Sequence, residues 1–134
     1  MPIAWAKLVD NPPVFRFALE GEPVPWGRPR PKGNGYITPE ATVSAEMALG
    51  VACKIANPGV EPLDGPVAII IDFYTNIPRN NPRGRGDIDN MTKTVLDGLK
   101  GIAWGDDYQV EIQVVTLNPN SSVPGTEVAI YRRE

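Results

Sequence analysis

Three stretches decide the fold of this 134-residue chain: Pro66-Val67-Ala68-Ile69-Ile70-Ile71-Asp72-Phe73-Tyr74, then Ile88-Asp89-Asn90-Met91-Thr92-Lys93-Thr94-Val95-Leu96-Asp97-Gly98-Leu99, then Gln109-Val110-Glu111-Ile112-Gln113-Val114-Val115-Thr116-Leu117. The first is apolar almost throughout, which predicts a strand in the middle of a sheet. Its one charge, Asp72, marks the side where the strand meets solvent. In the second, Ile88, Met91, Val95, Leu99 and then Ile102 recur at spacings of three and four, so residues 88–99 read as an amphipathic helix. Lys100-Gly101 ends it with a basic residue and a glycine C-cap. The third reads as a strand with Val110, Ile112 and Val114 on one face.

Working outward, Val14 to Leu19 alternates loosely and predicts a further strand. Residues 21–39 read as a loop, because Pro23, Pro25, Pro29 and Pro31 forbid a regular helix and stiffen the chain. Thr38 is the candidate N-cap and Pro39 the first residue of a helix running to about Ile55, stopped by Asn57-Pro58-Gly59. Val43, Met47, Val51 and Ile55 form its expected buried stripe. Residues 76–86 and 118–125 are loops, and 126–131 a closing strand. Residues 1–13 form an expected N-terminal arm, and 14–134 one domain. The order β-α-β-α-β-β predicts a compact α+β domain, a mixed sheet with two main helices packed on it.

Hydrophobic content of 42% and charged content of 22% suit one globular domain. No apolar run approaches the length needed to cross a bilayer, and Met1 to Lys7 lacks the pattern of a signal peptide. Cys53 is the one cysteine and there is no histidine. That removes disulfides, cysteine zinc sites, and Ser-His or Cys-His catalysis, and it points to a reducing cytoplasm. A net charge of −3 argues against nucleic acid. Its distribution argues the other way. Of the 13 basic residues, six (Arg28, Arg30 and Lys32 in 23–39, Arg79, Arg83 and Arg85 in 73–86) sit in two segments without any acid. Such a local patch attracts phosphate whatever the global sign. Exposed arginines on solvated loops are the bland counterpart.

Asp87, Asp89, Asp97, Asp106 and Asp107 fall within 21 residues, with Lys93 among them. Hard oxygen ligands suit Mg²⁺ or Mn²⁺, and carboxylates crowded together repel unless something positive lies between. Each pair alone has an ordinary explanation. Asp at a helix start caps free N–H groups, Asp89 and Lys93 have salt-bridge spacing, and Asp106-Asp107 suits a turn. Together they point to a metal-dependent phosphodiesterase. Trp104 is expected to pack beneath the Asp106-Asp107 turn, whereas Trp26 and Tyr36 either anchor the basic loop or stack on unpaired bases.

The pattern Asp87-x-Asp89-Asn90-x-x-Lys93-x-x-x-Asp97-x-Leu99, followed by Trp104-x-Asp106-Asp107-x-x-Val110, resembles the RusA family of Holliday-junction resolvases, often phage- or prophage-borne. Pro23-x-x-x-Gly27-Arg28-Pro29-Arg30 and Tyr36-Ile37-Thr38-Pro39 are similar to its phage branch. The resemblance spans roughly residues 14–117. It implies a homodimer that makes paired nicks in four-way DNA junctions with Mg²⁺ or Mn²⁺, in recombination and repair. It also implies catalytic roles for Asp87, Asp89, Lys93 and Asp107. Asp87, Asp89 and Asp107 would be the metal ligands, with Asp106 as an alternative third ligand and Asn90 and Asp106 in support. Arg28, Arg30, Lys32, Arg79, Arg83 and Arg85 are the expected DNA contacts. Two other classes compete: a Mg²⁺-dependent nuclease of flaps or forks, and a DNA-binding module whose aspartates only cap and solvate. A binding module has no need of a lysine among five acids.

Overall fold

The computed structural model describes residues 11–83 and 85–133. The first ten residues of the expected N-terminal arm lie outside them. The elements in chain order are β1 (Phe15–Glu20), β2 (Arg30–Lys32), β3 (Gly35–Ile37), α1 (Glu40–Ala56), β4 (Val67–Tyr74), α2 (Ile88–Leu99), a 3-10 turn (Asp107–Gln109), β5 (Val110–Asn118) and β6 (Gly125–Arg132). The α+β expectation holds: four strands form one mixed sheet in the order β1-β6-β4-β5. β6 runs antiparallel to both β1 and β4, whereas β4 and β5 are parallel and joined through α2. Parallel neighbours need such a crossover, so β4-α2-β5 is the frame of the molecule.

β4 is central because its alternate residues Val67, Ile69, Ile71 and Phe73 are all buried. They meet Phe15 and Phe17 of β1, Val128 and Ile130 of β6, Leu49 and Cys53 of α1, and Met91, Val95 and Leu99 of α2. Each such side chain contributes about 1.5–3 kcal/mol when fully buried. Burial pushes the Cys53 thiol up to about 11, so it stays a protonated apolar group. Asp72 points to the other sheet face, opposite Thr116 and Glu127. Gly101, with φ +84°, takes the left-handed position just beyond the end of α2.

Four expectations are corrected. The segment 21–39 is not all loop: β2 and β3 pair as a short exposed hairpin, with Gly33 at φ +61° in its two-residue turn. α1 starts one residue later than expected. Pro39 occupies the N-cap, no side chain caps, and Thr38 stays outside. β5 does not keep one alternation, because a bulge sits between its pairings with Val67 and Ala68. Val110 therefore packs on the core with Val115 and Leu117, while Ile112 and Val114 align with Ala68 and Ile70.

The fourth correction is the largest. The stripe expected to be buried on α1 is exposed, at 41% for Val43, 65% for Met47, 52% for Val51 and 75% for Ile55. The buried face is Thr42, Leu49, Gly50 and Cys53. Helix contact explains the choice. A Cβ on Gly50 would lie 2.6 Å from Ile102 Cδ1, and one on Gly98 would lie 2.8 Å from the Glu46 carbonyl oxygen. α1 and α2 pack backbone to backbone at these glycines, which only a small-residue face allows.

Gly98→Ala tests this crossing. On an open helix the change would stabilise by about 1 kcal/mol. Here it must push α1 outward, so a net loss of about 1–3 kcal/mol and a lower Tm are expected in thermal denaturation. A variant at least as stable as the parent would show that the helices do not meet there.

Candidate active site

α2 carries acids at its start because the chain turns there out of the Gly86-Asp87 segment. Asp87 takes the N-cap position with extended backbone, yet its side chain makes no cap hydrogen bond. The capping role is therefore not what occupies this carboxylate. Asp89 lies in the first turn, where the helix dipole favours an acid. One turn on, the Lys93 ammonium lies 3.8 Å from Asp97 Oδ2 and 4.9 Å from the centroid of the Trp26 ring. The lysine's ion pair is thus with Asp97.

At the far end of α2 the chain turns through Trp104 to Asp107. Trp104, just before this turn, is fully buried. Asp106 caps the 3-10 turn, its Oδ1 accepting from the Asp107 N–H at 2.8 Å. Lys100 Nζ lies 3.9 Å from Asp106 Oδ1 and 4.0 Å from Asp107 Oδ2. Gln109 locks the turn. Its Oε1 accepts from the N–H groups of Gly105 (2.9 Å) and Asp106 (2.8 Å). Its Nε2 donates to the carbonyls of Leu63 (2.8 Å) and Gly65 (3.0 Å).

Between α2 and the edge strand β5 runs an open groove of about 520 Å³, lined by Asp89, Lys93, Asp97 and Asp107 among others. The chain thus brings Asp89, Lys93 and Asp107 to one surface, while Asp106 is spent on its cap. Asp87 stands exposed at the helix start. Asn90 contributes through its backbone: its carbonyl accepts from the Trp26 N–H at 2.9 Å and from Thr94 Oγ1 at 3.2 Å. Arg28, Arg30 and Lys32 are exposed on and beside β2, and Arg79 and Arg83 are exposed in the loop before α2. The Arg85 Nε is buried without a hydrogen-bond partner.

A divalent ion can be tested against this donor set. The carboxylates are hard, and Asp107 is about half exposed, as a partly hydrated ion requires. Among the described residues no three acidic side chains converge on one point. The set suits an open, partly hydrated ion site that also takes a substrate phosphate, not a closed cage.

Trp26, Lys100 and Gln109 are the residues that sequence reading did not place here. Gln109 had a signal, since Asp106-x-x-Gln109 is a capping box. Gln109→Leu removes four hydrogen bonds and leaves buried carbonyls without a donor. Equilibrium denaturation should show a loss of about 2–4 kcal/mol. Unchanged stability would mean the turn is held by something else.

A comparison with curated proteins gave no significant match. A family model, described as Endodeoxyribonuclease RusA, matches residues 20–131. That span contains the hairpin, both helices, the groove, β4, β5 and all but the last residue of β6. The chain belongs to the RusA endodeoxyribonuclease family.

Proposed function

We propose that the protein is a divalent-metal-dependent endonuclease that resolves four-way DNA junctions by paired symmetric nicks, in recombination and repair. The observation that carries this reading is the groove between α2 and β5, where Asp89, Lys93 and Asp107 share one surface in a chain of this family. Asp87, Asp89 and Asp107 are the proposed ligands of Mg²⁺ or Mn²⁺. When bound, the ion supplies a water of lowered pKa and neutralises charge on the phosphate. Lys93 presents a cation to the scissile phosphate or to the departing oxygen. Arg28, Arg30, Lys32, Arg79, Arg83 and Arg85 contact the backbone phosphates of the junction arms, where arginine and lysine dominate affinity. The buried, lone Cys53 suits a reducing cytoplasm as the setting.

A four-way junction is two-fold symmetric, and one groove makes one cut, so we assign a C2 homodimer. The exposed row on α1 supports a surface for it. Antiparallel pairing of two such helices about residue 49 sets Val43 opposite Ile55 and Met47 opposite Val51. A row at i, i+4, i+8 is also the ridge that packs against its own copy at about −50°. Asp97 borders both the crevice beside this row and the active-site groove, so two grooves would flank such an interface.

Asp89→Asn and Asp107→Asn should each lower nicking of a synthetic four-way junction in Mg²⁺ by about 10²-fold or more, with gel-shift affinity retained. Lys93→Ala should lose about 10²–10³-fold in rate. Its Tm should barely move, since the Lys93–Asp97 pair is half exposed. Full nicking by both aspartate variants would sink the assignment, and equal cutting of flaps and forks would favour a nuclease of broader choice.

Sedimentation at micromolar concentration should give about twice the 14.6 kDa chain mass. Met47→Glu should return it to the monomer. A monomeric parent would remove the dimer, and a Met47→Glu dimer would move the interface off α1.

A further inference from the structure

We propose that Trp26 positions Lys93: the indole face holds the ammonium so that it meets the groove in one orientation. The contact itself stands on geometry. What it does for cleavage rests on the nuclease reading above. Lys93 Nζ lies 4.9 Å from the ring centroid, within the range of cation–π attraction, and 3.8 Å from Asp97 on the helix's next turn. Asp97 alone is a weak restraint, because an ion pair this exposed contributes little and fixes no direction. A lysine has four rotatable bonds, and one carboxylate leaves most of them free. The ring supplies a second contact, and two contacts define an orientation.

The ring can do this because its backbone is wedged between the two helices. The Trp26 N–H donates to the Asn90 carbonyl at 2.9 Å, one turn before Lys93. The next N–H, that of Gly27, donates to Thr42 Oγ1 of α1 at 2.9 Å. On one side a Cβ on Gly86 would collide with the Pro25 ring; on the other, a Cβ on Gly27 would lie 2.8 Å from the Pro39 ring. Pro25-Trp26-Gly27 is therefore pinned at both helices by contacts that leave no room for a methyl group. Such fixed support is what brings a flexible side chain to within a fraction of an ångström of a working position. The other loop aromatic behaves differently. Tyr36 on the hairpin is 77% exposed and free to meet bases, whereas Trp26 is half-buried against α2.

The test compares the wild type with Trp26→Leu and Trp26→Phe by two readouts. In a proton–carbon spectrum of protein labelled at lysine, the Lys93 ε-methylene, assigned by its loss in Lys93→Ala, should be displaced upfield by the ring current. The displacement should persist in Trp26→Phe and vanish in Trp26→Leu. In single-turnover cleavage of a saturating four-way junction, Trp26→Leu should be about five- to thirty-fold slower. Its junction affinity should be unchanged, and Trp26→Phe should recover most of the rate. An undisplaced Lys93 signal in the wild type overturns the proposal without any Trp26 variant having to fold. So does a Trp26→Leu enzyme that cuts at the parental rate, or one that loses affinity and Tm without rescue by phenylalanine, which would make Trp26 a structural wedge. A wild type that leaves junctions uncut removes the nuclease reading, while the spectrum still decides the contact.

Discussion

The close approach of α1 and α2 at Gly50 and Gly98 is the constraint on which the other arrangements depend. A Cβ on Gly98 would collide with the backbone of α1, and one on Gly50 with Ile102 just beyond α2. α1 therefore turns its small face inward, with Thr42, Leu49 and Cys53 buried beside Gly50. Val43, Met47, Val51 and Ile55 are left outside as a consequence of geometry, since they lie on the opposite side of the same helix. The same approach brings Thr42 near enough for its hydroxyl to accept from Gly27. Through that bond and the Asn90 carbonyl, the proline-rich segment before the hairpin is tied to both helices at once.

β4 and α2 were legible because each has one period and no rival. Nine nearly apolar residues have nowhere to go but the sheet centre, and a clean three-four spacing over 88–99 fits a single helical face. α1 was legible as a helix but not as to which face it buries. Its two faces are both apolar, and size, not hydrophobicity, decides between them. The glycines at 50 and 98 held that information, but only as a pair, and nothing in the spacing says that they meet. The β5 bulge and the β2–β3 hairpin were invisible for a related reason. A bulge shifts alternation by one residue without changing composition, and two three-residue strands containing Pro31 carry too little pattern to outweigh four nearby prolines. Of the site, the acids and Lys93 were legible as chemistry. Trp26, Lys100 and Gln109 were not, because their roles arise from contacts that the chain makes only once it is folded.

Crowding in sequence and crowding in space differ at the acidic segment. The crossover from β4 to β5 puts Asp89 in the first turn of α2 and Asp107 in the turn that follows the helix, and both line one groove. Asp89, Asp97 and Asp107 line the groove, with Lys93 beside Asp97, while Lys100 lies beside Asp106 and Asp107. The Glu46 carboxyl on α1 belongs to the same field. It is held above its ordinary value by burial first and by Asp97 second, with Lys93 pulling the other way. Repulsion is thus offset at Asp97, Asp106 and Asp107, the three of the five that meet a lysine.

That relief is uneven, and the unevenness shows where chemistry remains to be done. Asp106 accepts a cap hydrogen bond and meets Lys100, and Asp97 meets Lys93, so both have structural work. Asp87 and Asp89 make no ion pair with any described residue, and Asp87 does not cap its helix. They stand at the α2 N-terminus, where the dipole makes negative charge tolerable, one turn from a lysine already fixed on its far side by Trp26 and Asp97. Carboxylates that a fold leaves without partners are the ones free to take a cation from solution. Of the three acids that line the groove, Asp97 meets Lys93 and Asp107 meets Lys100, so Asp89 is the one left without an ion pair among the described residues.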